Sequence, residues 1–345
     1  MKRVWIVTLS CGLTLLVAAS VAIGWYWQGG VAAGRHAYRD LLEVRETLER
    51  PVTRRPVVVW LGDSTIMGKA KVSYPRRLEE RLRGTLDVEN RIVATGGLHF
   101  ESYFCLMGAV LTLKPDAVVV IANPTQFRGP AIRPSSHLCA LMPRDHLPGA
   151  MWRALRPGGV PLSTLLSLRL LGVPGVRDPL FFLTGLRRAI QSALVWDWLG
   201  TKATEEGKGL LVWGGDRGDA RLAIVDSWRN GLGSQVRADE PVMETVRATV
   251  RMAARRGVPI IVIGHPVPYD RLRAEAAYDP ADFRRRFPFR EAVEQAGGLF
   301  VDLHDAVAES GFRDRWVHLN AQGTERMATL LEPVMRRVLA RPEGG

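Results

Sequence analysis

Cysteine is scarce in this chain: three in 345 residues, and none stands at the spacing of a metal site. Fixed-period repeats and low-complexity tracts are missing too, which sets aside solenoids and collagen-like chains. No recognisable nucleic-acid module is present. The net charge of +12, carried mostly by arginines scattered along the chain, therefore reads as a solvated basic surface. Such a surface also suits anionic lipid or acidic polymer, but the scattering favours the plainer reading.

The most telling absence is of charge itself. Residues 4–27 contain no charged side chain, and Lys2 and Arg3 precede them. At about 1.5 Å per residue, a helix of that length crosses an apolar bilayer core about 30 Å thick. Trp25, Tyr26 and Trp27 close the segment, where amphipathic rings prefer the headgroup layer. Residues 1–30 are thus expected to form a transmembrane signal anchor. Lys2 and Arg3 would lie in the cytoplasm and the rest outside the inner (cytoplasmic) membrane, in the periplasm or its equivalent; Arg35 and Arg39 on the other flank weigh against that orientation. A cleaved signal peptide is the rival reading. Ala18, Ala19, Ser20 and Ala22 suit a peptidase, but the apolar stretch exceeds the roughly 7–15 residues of such a leader. With Cys11 inside the span, Cys105 and Cys139 either pair outside the cytoplasm or remain buried thiols.

Beyond a membrane-proximal helix and linker (31–55), strand-like and helix-like runs alternate. Strands are predicted at 56–62, 87–97, 115–124, 258–266 and 299–306, the first, third and fourth of them almost continuously apolar. Helices are predicted at 74–86, 100–113, 241–257, 289–298 and 321–340. Pro75 suits the first turn of its helix. Strands apolar on both faces belong in a mainly parallel sheet covered by helices, so a three-layer α/β/α sandwich is expected, with its chemistry at the C-terminal ends of the strands. The core would occupy 56–130 and 241–345. Residues 131–240 interrupt it as a helical insertion, read either as a lid or docking face for membrane or protein, or as a plain subdomain.

The first strand runs into Gly62-Asp63-Ser64, with Gly68-Lys69 beyond. A phosphate-binding loop needs four residues between its glycines and a hydroxyl after the lysine. Here there are five, and Ala70 follows Lys69. Asp63 would also repel a phosphate. No G-x-G-x-x-G follows the strand. A nucleophile fits better: Ser64 stands at a strand end, before a helix whose N-terminal field would favour negative charge, with Asp63 bracing the loop. A serine hydroxyl needs a base. His318, on the loop after the fifth strand and before Leu319-Asn320, falls at the same end of the sheet. Gly96-Gly97 after the second strand and Asn123 after the third are candidate oxyanion donors. His265, after the fourth strand, is read either as a substrate contact or as a capped strand end.

Gly-Asp-Ser, Gly-Gly, Asn and His-Leu-Asn, in this order, resemble the SGNH (GDSL-type) hydrolase family over roughly residues 56–128 and 241–340. The resemblance implies a five-stranded, flavodoxin-like sheet. It implies Ser64 as nucleophile, His318 as base, and Ser64 N–H, Gly97 (or Gly96) N–H and Asn123 as the oxyanion hole. The family's acid stands three positions before the histidine. That position is Arg315 here, and Asp314 is one residue out; Asp302 and Asp305 are the alternates. The family's G-x-N-D block reads Ala122-Asn123-Pro124, which keeps only the asparagine. The resemblance further implies an acyl-serine mechanism without metal or organic cofactor. Its substrate would be an ester, an envelope polysaccharide or a lipid. An O-acyltransferase using the same residues, and a non-catalytic membrane-anchored scaffold, are the alternatives.

Overall fold

The computed structural model describes residues 39–67, 73–94, 100–123, 241–274, 289–313 and 317–340. The predicted anchor and the predicted insertion lie outside them. Among the described residues no helix is long and apolar enough to cross a membrane. From Glu43 onward, the described residues belong to one compact unit.

Five strands carry that unit: β1 (Val57–Gly62), β2 (Glu89–Ala94), β3 (Ala117–Ala122), β4 (Ile260–Gly264) and β5 (Leu299–Asp302). All pairings are parallel, in the order β2-β1-β3-β4-β5. That is the doubly wound order of a flavodoxin-like sheet, in which the strand order reverses between β1 and β3. The helices are α1 (Arg39–Glu49), α2 (Tyr74–Leu82), α3 (Phe100–Thr112), α4 (Pro241–Ala254), α5 (Tyr269–Ala274), α6 (Phe289–Gln295) and α7 (Ala321–Leu339). Pro75 occupies the first turn of α2, as the sequence predicts. Within the described residues, the five predicted strands and the predicted helices at 74–86, 100–113, 241–257, 289–298 and 321–340 form. The short α5 and a 3-10 turn at Glu309–Gly311 carry no periodic signal and are additions to the expected set.

Side-chain alternation splits the core in two. Val58, Trp60, Val119, Ile121, Ile261 and Ile263 face α2 and α7, whose Leu78, Leu82, Met327, Leu331 and Met335 complete one cluster. α3, α4 and α6 pack together on the other face. At about 1.5–3 kcal/mol for each fully buried large side chain, these apolar faces outweigh intrinsic propensity in holding the helices.

Register sets where the chain leaves the sheet. Gly62 pairs with Ala94, Ala122 with Gly264, and Gly264 with Asp302. The strands therefore end together, and the chain emerges at a single rim after each of them. Their N-terminal ends are fastened separately. Glu89 accepts from Thr53 N (2.7 Å), Thr53 Oγ1 (2.9 Å), Arg54 N (2.9 Å) and Arg91 Nε (2.8 Å). Arg91 in turn donates to Thr47 O (3.3 Å) and Pro51 O (2.8 Å). Asp116 accepts from Val57 N (2.6 Å) and Arg55 (3.0 Å).

Candidate active site

Gly62 ends β1, and residues 63–66 form a tight turn in which Ile66 N–H donates to Asp63 O (3.2 Å). Ser64 lies in this turn. The expectation of a helix dipole at Ser64 is corrected here, because α2 begins only at Tyr74. The turn is held by side-chain bonds instead. Asp63 Oδ1 accepts from Thr65 N (3.0 Å) and Thr65 Oγ1 (2.7 Å). Asp63 Oδ2 accepts from the Asn123 side-chain amide (3.1 Å), across the gap from β3. Both Asp63 and Asn123 are buried. The bracing role read for Asp63 is thus in place; its link to Asn123 has no sequence signal, since separation along the chain hides it.

Only glycine fits at 62. A Cβ there would stand 2.5 Å from Ile66 Cγ1 and 3.2 Å from Ile121 Cγ1, with Ile66 fully buried. Gly62→Ala is expected to destabilise the fold by about 1–3 kcal/mol through overpacking. It should also lower kcat more than a distant core change of equal cost, because Ile66 and Ser64 share one turn. Urea unfolding and kinetics on the same sample check both effects.

His318 reaches Ser64 from the far end of the chain. Its Nε2 lies 3.0 Å from Ser64 Oγ, so the hydroxyl donates to the ring nitrogen when that nitrogen carries the lone pair. The loop that presents His318 is short and heavily bonded. Phe312 and Leu319 form an antiparallel bridge, Arg313 N–H donates to His318 O (2.8 Å), and Asn320 N–H donates to Gly311 O (3.0 Å). Asn320 caps α7: its Oδ1 accepts from Gly323 N (3.1 Å) and its Nδ2 donates to Ser310 O (2.6 Å).

Of the predicted site residues, Ser64, His318 and Asn123 come to one rim. Asp314, Gly96 and Gly97 lie outside the described residues, as do Arg315 and Lys69. Of the alternate acids, the half-buried Asp302 has its Oδ1 2.6 Å from Nδ1 of the buried His304, and Asp305 is exposed on the turn after β5. Gly264 makes room for that pair: a Cβ there would stand 2.7 Å from His304 Cε1. His265 is fully buried, so the sequence reading of it as a substrate contact is corrected. Its Nε2 lies 2.9 Å from Val317 O. Burial pushes its pKa down to about 4, against the pull of the Val317 carbonyl and the Asp63 charge. Burial, then the Asp63 charge, raises the Tyr74 hydroxyl well above its ordinary value. Cys105, on α3, is disulfide-bonded, and its partner lies outside the described residues. No group of three or more histidine, cysteine or acidic side chains among the described residues is arranged to hold a metal ion.

No family model and no curated protein matches the chain. Among solved structures, it is similar to an acetylxylan esterase from Geobacillus stearothermophilus, a catalytic mutant, at 12% identity. That match covers 85% of this chain and 98% of the other, with a TM-score of 0.39. It is also similar to a protein assigned to the G-D-S-L lipolytic family from Desulfitobacterium hafniense, at 13% identity, covering 82% and 99% of the two chains, with a TM-score of 0.35. Likeness at this level decides nothing about activity, which rests on the geometry of Ser64 and His318.

Proposed function

We propose that this chain is a serine ester hydrolase of the SGNH type, working through an acyl-serine intermediate. One observation carries the reading: the 3.0 Å approach of His318 Nε2 to Ser64 Oγ, between residues 254 positions apart, at the rim where the strands end. In the reaction, Ser64 Oγ attacks the ester carbonyl carbon as its proton passes to His318 Nε2. The oxyanion is received by Ser64 N–H, the Asn123 amide and, by the family resemblance, Gly97 N–H. Collapse breaks the bond to the alcohol, which leaves with the proton from His318. Water then attacks the acyl carbon as His318 takes its proton, and the bond to Ser64 Oγ breaks as His318 returns that proton to it, releasing the acid.

Residues 4–27 would anchor the enzyme in the membrane and the Cys105 disulfide suits an oxidising compartment, so a cell-envelope ester is the substrate class that fits. By the family resemblance, Asp314 would orient His318.

A fluorophosphonate probe tests the reading. The folded full-length protein should be labelled stoichiometrically, with the adduct on Ser64 by mass spectrometry, and Ser64→Ala should take up none. A folded wild-type protein that resists the probe would sink the serine mechanism. Release of acetate to water rather than to a sugar acceptor would separate hydrolysis from transfer.

A further inference from the structure

We propose that His265 is the positioning residue for the catalytic base, clamping the backbone that carries His318. The inference rests on the serine-hydrolase reading above and adds a residue that no sequence motif marks.

His265 is the first residue after β4. Its backbone N–H donates to Ala122 O (3.0 Å), which bolts it to the end of β3, beside Asn123. Its ring reaches the other way, to Val317 O at 2.9 Å. A carbonyl only accepts, so Nε2 carries the proton and Nδ1 the lone pair. That Nδ1 is buried and meets no donor among the described residues. The ring stacks on Tyr74 (centroids 6.1 Å apart, 28° between planes), and Tyr74 meets Trp60 edge-on at 5.9 Å. The imidazole is thus backed by the Tyr74 ring and aimed at the Val317 carbonyl.

That carbonyl belongs to the peptide immediately before His318. The peptide immediately after His318 is held as well, because Arg313 N–H donates to His318 O. The two peptide planes flanking the His318 Cα are therefore each held by a hydrogen bond. Packing alone does not call for an imidazole here. A phenyl or methionine side chain would fill the space without stranding a buried nitrogen, and only the bond to Val317 O uses the ring's chemistry. Without it, the 317–318 peptide gains freedom to turn, and His318 Nε2 drifts from Ser64 Oγ. Displacements of about 1 Å at such a contact slow reactions by about 100-fold.

The test compares three variants of the full chain. His265→Phe and His265→Met fill the site without a donor, and His265→Gln restores an N–H near the Nε2 position. With p-nitrophenyl acetate, Phe and Met should lower kcat and the fluorophosphonate labelling rate by about 30- to 100-fold, with KM within about twofold. Gln should recover the rate to within about fivefold of wild type. Rates are compared below the melting temperature of each variant, and Met stands in if Phe fails to fold. Donor-less variants that react at wild-type rate, or a folded Gln variant no faster than Met, would overturn the inference. Labelling of wild-type Ser64 in the same experiment shows whether the serine mechanism stands without it.

Discussion

Replacing His318 by glutamine is expected to lower kcat for ester hydrolysis by about 10⁴-fold, while the free energy of unfolding moves by no more than about 2 kcal/mol. The asymmetry stems from where the residue sits. His318 touches Ser64 Oγ at 3.0 Å, but the loop carrying it is held by backbone bonds from Arg313 and Asn320 and by the α7 cap, none of which uses the imidazole. Glutamine keeps that framework and cannot take up the serine proton. Stopped-flow kinetics with chemical denaturation checks both halves. A loss of activity that merely tracks a loss of fold would mean that His318 is structural.

The largest expected effect on stability lies at the opposite end of the sheet. Glu89→Gln should destabilise the fold by about 3–5 kcal/mol, because it leaves the Arg91 guanidinium buried without its counter-charge. Burial pushes the Glu89 pKa up, but the donors Thr53 N, Arg54 N, Arg91 and Thr53 Oγ1 override it and hold the value at about 2, against 4.5 ordinarily. A carboxylate depressed in this way stabilises the folded state fully above about 4.5. That contribution is lost as pH falls towards about 2. Urea midpoints measured between pH 6 and pH 2 should therefore fall more steeply for wild type than for Glu89→Gln, and the two curves should converge at the acid end. Parallel curves would remove Glu89 from the account. Six residues of β1 at about 3.3 Å each separate this fastening from the rim, so the variant should keep its kcat under conditions where it is folded.

The two ends of the sheet also mark how far the sequence can be read. Strands such as Val57–Gly62 and Ala117–Ala122, buried along their whole length, announce a covered parallel sheet, and the strand order accords with the doubly wound pattern. Ser64, Asn123 and His318 are legible because each stands where an apolar strand or loop gives way, at the rim such sheets use for chemistry. What connects them is not. The Asp63–Asn123 and His265–Val317 bonds join residues 60 and 52 positions apart, and no local pattern encodes the approach. His265 is easily misread for the same reason: a histidine at a strand end looks exposed until the Tyr74 ring stacked on it is known. The Asp302–His304 pair is readable as chemistry, but its 2.6 Å approach is set by the backbone turn that carries both.

Asp63 uses both its oxygens across one gap, one on the Ser64 turn through Thr65 and one on the Asn123 amide. The Ser64 turn and the Asn123 amide are therefore tied directly to each other as well as through the strands that end beneath them. A substitution that cuts this bridge is therefore expected to loosen the Ser64 turn and the Asn123 amide together, even where both strands stay intact.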